Sequence, residues 1–130
     1  PQALIGRRHP DGAGRVGGGV LKVLEKNAEK IAKEVGKPVR ITKVLDRHVD
    51  RLKQEYGDKY IFTDNADEVL EDKDIDIIVE LLGREHPAKE FIARAFANGK
   101  HVVTANKDVL AKFGSELFPL AHEHNCDFMF

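Results

Sequence analysis

The sequence predicts a doubly wound α/β domain, a mainly parallel sheet with helices on both faces. Three observations predict it. Strand-like and helix-like stretches alternate along the chain. The run Ile75, Ile77, Ile78, Val79, Leu81 and Leu82 is almost unbroken, which is how a strand buried on both faces reads. A glycine-rich stretch, Gly12-Ala13-Gly14-Arg15-Val16-Gly17, opens a helix with one apolar stripe.

Taken in order, Ala3-Leu4-Ile5-Gly6 is a short apolar start, and Arg7 to Asp11 are loop-like. The glycine fingerprint normally follows its strand directly. Two readings stay open: Gly6 is the strand-end glycine and the loop carries an insertion, or the first strand is short and distorted. Val20, Leu21, Val23, Leu24, Ala28, Ile31, Ala32 and Val35 then recur at helical spacing, with charged residues opposite. Gly36 ends this helix and Pro38 prevents its resumption. Val39 to Leu45 alternates and is rich in branched residues, so it is a strand, ending in Asp46-Arg47-His48. Val49 to Tyr60 is polar and weakly helical. Ile61-Phe62 is a candidate extra strand. Thr63 or Asp64 can cap a short helix through Leu70.

The stretch Asp74 to Lys107 reads as strand, turn, helix, strand. Gly83 ends the first strand. Pro87 suits the first turn of a helix, where no backbone N–H is needed. Ala88, Phe91, Ile92, Ala95 and Phe96 form its apolar face, and Asn98-Gly99 stops it. His101 to Thr104 is the second strand. Two strands joined by one helix run parallel, with a right-handed crossover. Asn106 is placed to cap a following helix, which puts Lys107 at its start. That helical stretch is expected to run to about Phe113 and break at Gly114. A new helix, capped by Ser115, then runs to His124 with Leu117, Phe118, Leu120 and Ala121 facing the core. Cys126 to Phe130 reads as a last strand.

Composition narrows the function. At 130 residues the chain is one domain, residues 1–130, with room for a real core. It is 42% hydrophobic and 33% charged, with net charge −1. That balance suggests neither a nucleic-acid nor a membrane surface. No apolar run is long enough to cross a bilayer, and no signal-peptide pattern appears. The single cysteine, Cys126, excludes an internal disulfide, reads as a packing residue and fits a reducing, cytoplasmic setting. The histidines form no readable metal site: His122 and His124 are two apart and point different ways on a helix. The start at Pro1 and the strand-like finish predict a fragment with its next segment missing.

A glycine-rich loop binds pyrophosphate because side chains are absent where backbone must approach the phosphates, and free N–H groups at the helix start face the anion. In an open parallel sheet the ligand lies beyond the carboxyl ends of the strands, where Gly83 and Lys107 are placed. A lysine does not suit the positive end of a helix, so Lys107 hints at a task besides stability; the plain alternative is a solvated lysine. At the end of the second strand a carboxylate, Asp46, would bond ribose hydroxyls and favour NAD. An arginine, Arg47, would pair with the extra phosphate and favour NADP. Successive strand residues point opposite ways, so only one faces the ribose, and the choice stays open. Glu80, in the buried strand, either bonds backbone groups or contacts cofactor or substrate. Glu71 to Asp74 reads as a solvated turn, and Phe128 and Phe130 as core or interface residues.

With those residues in view, the chain resembles the N-terminal nucleotide-binding domain of homoserine dehydrogenases, a Rossmann-type domain. The resemblance runs from Gly14 to Arg47 and from Thr63 to Phe130, and its most specific parts are DIDIIVELLG, Glu85-His86-Pro87-Ala88 and GKHVVTANK. It implies reversible reduction of L-aspartate 4-semialdehyde to L-homoserine with NADP or NAD as cofactor, in threonine, methionine and isoleucine biosynthesis. It implies a dinucleotide site at Gly12, Gly14, Arg15, Val16 and Gly17. Arg47 matches a 2′-phosphate arginine, and Asp46 replaces a usually apolar neighbour. Leu82 and Gly83 would lie near the nicotinamide half. Lys107 matches the lysine of a Thr-Ala-Asn-Lys motif, near nicotinamide and substrate, where its cation would polarise the aldehyde oxygen or take part in proton transfer. The implied partners are the small-molecule substrate and, in the full-length enzyme, a second copy, with no nucleic acid, membrane or metal. The substrate pocket, a second catalytic lysine and the dimer interface would come from residues after this domain, so the chain alone is expected to be inactive. Two rivals are the cofactor domain of a related amino-acid dehydrogenase or reductase, and a non-catalytic nucleotide-binding module.

Overall fold

A computed structural model describes residues 2–6, 26, 29–30, 32–33, 40–46, 49–80, 85–104 and 106–130. Six strands form one sheet: β1 (Gln2–Gly6), β2 (Arg40–Leu45), β3 (Ile61–Thr63), β4 (Ile77–Glu80), β5 (His101–Thr104) and β6 (Phe128–Met129). Their order is β3-β2-β1-β4-β5-β6, and every pairing is parallel. This is the doubly wound order, with β1 and β4 adjacent where the winding reverses. The intervening helices are α1 (Val49–Tyr56), α2 (Asp67–Leu70), α3 (Ala88–Ala97) and α4 (Lys107–Glu123). Lys26, Glu29, Lys30, Ala32 and Lys33 are helical, as the stripe in that segment predicts.

Both faces of the sheet are covered. All four residues of β4 are buried. Ile78 packs with Val102 of β5 and with Ile92, Phe96, Val109 and Leu117 from the apolar faces of α3 and α4. Ile77 and Val79 point the other way, into a second cluster with Ile41, Val44, Phe62 and Leu52 of α1. The alternation follows from the two-residue period of a strand. Ile61, on edge strand β3, is 59% exposed.

Helix ends explain most boundaries. Gly99 has φ +73°. Its N–H reaches Phe96 O at 2.9 Å and the Lys100 N–H reaches Ala95 O at 2.9 Å, so the left-handed residue closes α3. The same pattern ends α4 at Asn125, φ 56°, with Cys126 N–H on Ala121 O at 2.9 Å. Ala88 begins α3, so Pro87 sits one residue before the helix, and the His86-Pro87 bond is cis.

Four sequence expectations need correction. Gly114 does not break the last helix: α4 is continuous through it, and Ser115 caps nothing. Val109, Gly114, Leu117 and Ala121 are all buried on one face. Tertiary packing of that stripe outweighs the roughly 1 kcal/mol that a helical glycine costs. Phe118, expected in the core, is 41% exposed. Its ring meets Phe128 tilted, centres 4.9 Å apart, and Phe130 edge to face at 5.9 Å; Phe128 is buried and Phe130 exposed. Neither Thr63 nor Asp64 caps α2. Asn65 Oδ1 accepts the Asp67 N–H at 3.0 Å, while Thr63 Oγ1 accepts the Asn65 N–H at 3.1 Å.

The fourth concerns the turn at Glu71 to Asp74, which is more than solvated. Asp72 Oδ2 pairs with Lys43 Nζ at 2.7 Å, each side chain only 20% exposed, and Asp72 Oδ1 accepts the Asp74 N–H at 2.9 Å. Lys100 is buried beside it, its Nζ donating to Ile75 O at 2.7 Å and to Asp72 O. Burial pushes the Lys100 pKa down, against the pull of Asp72 and Asp76. The Lys43 hydrogen bond, with the Asp74 N–H, holds the Asp72 carboxyl below its usual range. A carboxyl with a lowered folded-state pKa contributes stability that is full above its unfolded value, near pH 4, and is lost as pH falls through the folded value. We therefore expect the stability advantage of the native chain over Asp72→Asn, read by urea unfolding, to be level from about pH 5 to 7 and to shrink below about pH 4. An advantage that does not change with pH would refute this.

Candidate functional site

Register lines the carboxyl edge of the sheet into one row. Thr63 pairs with Leu45, Leu45 with Gly6, Gly6 with Glu80, and Glu80 with Thr104. β1 ends at Gly6, and its register against β2 shifts between Ala3 and Leu4. Chain ends of parallel strands gather here, so this edge is where a ligand crevice forms.

On the β4–β5 side the polar groups are interlocked. Glu80 is 2% exposed and Thr104 is 3% exposed. Thr104 Oγ1 donates to Glu80 Oε2 at 2.6 Å and accepts the Asn106 N–H at 3.0 Å. The expectation that Glu80 bonds backbone groups or a ligand missed this neighbouring hydroxyl. Asn106 caps α4 as its position predicts, with Oδ1 accepting the Val109 N–H at 3.1 Å. Lys107 follows as the first residue of α4 and is exposed. It stands at the edge to which Glu80 and Thr104 bring the strands.

Glu85 and the start of α3 are joined to the same helix. Glu85 pairs with Lys112 at 3.0 Å and Lys89 with Glu116 at 2.7 Å. Lys89 also lies over the Phe113 ring, 4.5 Å from its centre. Exposed pairs of this kind contribute little stability; they join Glu85 and the first turn of α3 to the middle of α4.

On the β2–β3 side, Asp46 is 4% exposed at the end of β2, and its N–H reaches Thr63 O at 2.9 Å. Beside it a cleft of about 540 Å³ is lined by Val49, Arg51, Lys53, Thr63 and Asp64, among others. Sequence reasoning passed over Arg51 and Lys53; the signal was their position on α1, the helix that begins three residues after Asp46. Gly12, Gly14, Arg15, Val16, Gly17, Arg47, Leu82 and Gly83 lie outside the described residues. Of the predicted site, then, Asp46 and Lys107 are placed, along one edge on either side of β1 and β4. Among the described residues no three His, Cys, Asp or Glu gather as metal ligands, and no helix is long and apolar enough to cross a membrane. Cys126 is buried as a packing residue.

The described residues fit a dinucleotide lying along this edge. The carboxylate of Asp46 follows β2 on one side of the β1–β4 switch point, and the capped helix start bearing Lys107 follows β5 on the other.

Residues 12–130 match the family model for the homoserine dehydrogenase NAD-binding domain. The homoserine dehydrogenase of Methylobacillus glycogenes is 45% identical over 109 residues, 84% of this chain and 26% of that protein. That of Bacillus subtilis is 38% identical over 119 residues, 92% of this chain and 28% of that protein. A homoserine dehydrogenase crystal structure from Thiobacillus denitrificans superposes over 100% of this chain and 29% of its own, at 40% identity and TM-score 0.75. The chain thus spans between 26% and 28% of the length of these two curated relatives. Removing the Asn106 cap should destabilise α4: we expect Asn106→Ala to lower unfolding free energy by about 1 kcal/mol in urea melts. No change would mean that the Val109 N–H finds another acceptor.

Proposed function

The chain belongs to the family of homoserine dehydrogenase NAD-binding domains, and on that premise we propose that it is the cofactor-binding part of an enzyme interconverting L-homoserine and L-aspartate 4-semialdehyde. The observation that carries this reading is the carboxyl edge, which sets Asp46 and the Asn106–Lys107 turn on either side of the β1–β4 switch point. The cofactor is NAD or NADP. When bound, its nicotinamide supplies the hydride acceptor or donor.

The chain's own residues do the rest. The glycine loop, Gly12, Gly14, Arg15, Val16 and Gly17, offers backbone N–H groups to the pyrophosphate. Asp46 or Arg47 meets the adenosine ribose: Asp46 accepts from its hydroxyls, or Arg47 pairs with a 2′-phosphate. Leu82 and Gly83 line the nicotinamide half. Lys107, with nothing bulky required around an exposed helix start, extends its ammonium toward the substrate oxygen. There it stabilises developing negative charge and holds or passes the proton that balances hydride transfer. Residues beyond this domain would supply the substrate pocket and the contacts between copies; the whole enzyme would work in the cytoplasm as a homo-oligomer.

Titration with NADH and NADPH, followed by cofactor fluorescence, tests the reading. We expect saturable binding by the chain, and Arg47→Ala to weaken NADPH by about tenfold while sparing NADH, from loss of one charge-assisted pair. An Arg47→Ala chain that keeps its NADPH affinity would move the ribose contact to Asp46. Absence of binding to either cofactor would sink the cofactor reading. The chain alone should give no homoserine-dependent reduction of NAD or NADP; robust turnover would contradict the assignment of the substrate pocket to other residues.

A further inference from the structure

Glu80 is the one charged residue of β4 and is almost wholly buried. A buried carboxyl is costly unless it is hydrogen-bonded. Its Oε2 accepts the Thr104 hydroxyl at 2.6 Å, a short bond of the kind made to a carboxylate. A threonine hydroxyl has one proton to give. With that proton committed to Glu80, its lone pairs receive the Asn106 N–H at 3.0 Å. Asn106 Oδ1 in turn receives the Val109 N–H at 3.1 Å. Donation therefore runs in one direction through three buried side chains, from the first turn of α4 back to the end of β4. The residue after Asn106 is Lys107.

We propose that Glu80 and Thr104 are positioning residues for Lys107. They fix the turn at Asn106, and with it the point and direction from which Lys107 leaves the carboxyl edge, without touching cofactor or substrate. Without the carboxyl of Glu80, the Thr104 hydroxyl is free to rotate and its proton competes for the space the Asn106 N–H needs. The proposal rests on the reading of Lys107 as the residue beside nicotinamide and substrate.

Two substitutions at one position separate positioning from packing. Thr104→Val keeps the shape and loses the hydroxyl; Thr104→Ser keeps the hydroxyl and loses a methyl. A packing role favours valine, a positioning role serine. The first readout is hydrogen exchange of the Val109 amide in the cofactor-free chain, by NMR. We expect exchange about fivefold faster in Thr104→Val and Glu80→Leu, and near native in Thr104→Ser and Glu80→Gln. The second is the Lys107 side-chain resonance, identified by its loss in Lys107→Ala and followed through an NADPH titration. We expect its shift to persist in the serine and glutamine variants and to be lost or altered in the valine and leucine variants. Should Thr104→Val fail to fold, Thr104→Ala against Thr104→Ser carries the same comparison. Native exchange and a native Lys107 shift in Thr104→Val would overturn the proposal. If the native chain binds NADPH and Lys107 does not respond, the placing of Lys107 fails, and the Val109 exchange still decides whether Glu80 and Thr104 fix the turn.

Discussion

The structure depends on the burial of β4 from both sides. Ile77 and Val79 pack on one face and Ile78 on the other, so helices must cover both faces of the sheet. Helices that cover both faces connect parallel strands, and parallel strands bring all their carboxyl ends to one edge. The row Thr63, Leu45, Gly6, Glu80, Thr104 is the product. A crevice at that edge is thus a by-product of how the core is filled.

The two ends of the sheet solve the same problem differently. Each collects polar groups that the core has drawn out of water, and each must satisfy them. At the amino ends of β4 and β5 the answer is a buried cation: Lys100 bonds carbonyls of Asp72 and Ile75, and Asp72 holds Lys43. Its groups are consumed by one another, which suits a stabilising role. At the carboxyl ends the chain Glu80–Thr104–Asn106 is equally well satisfied, but it stops one residue short of Lys107. The first charged side chain beyond it is exposed, which suits a group meant to meet a ligand.

Much of this was legible in residue order. The nearly continuous apolar run gave β4, Asn98-Gly99 gave the end of α3, and Asn106 gave the start of α4, each through local chemistry. Gly114 misled because a glycine's preference is about 1 kcal/mol, and the burial of Leu117 and Ala121 on the same face outweighs it. Thr63 misled because α2 starts later than it predicts: Ala66 is the residue before the helix, and the side chain that reaches the Asp67 N–H is Asn65. Phe118 misled because helical spacing fixes an angle around the helix axis, not where the neighbouring surface ends.

The sequence by itself determined the alternation of strands and helices, the doubly wound class, the Asn106 cap and the stop at Gly99, and the likeness to homoserine dehydrogenases, because these are written in periods and motifs a few residues long. Tertiary structure alone decided that Glu80 would find Thr104, 24 residues away, that Lys100 would be buried against Asp72, and that Asp46 would be enclosed at the end of β2. Those outcomes depend on strand order and register: a one-residue slip of β4 against β5 would turn Glu80 away from Thr104.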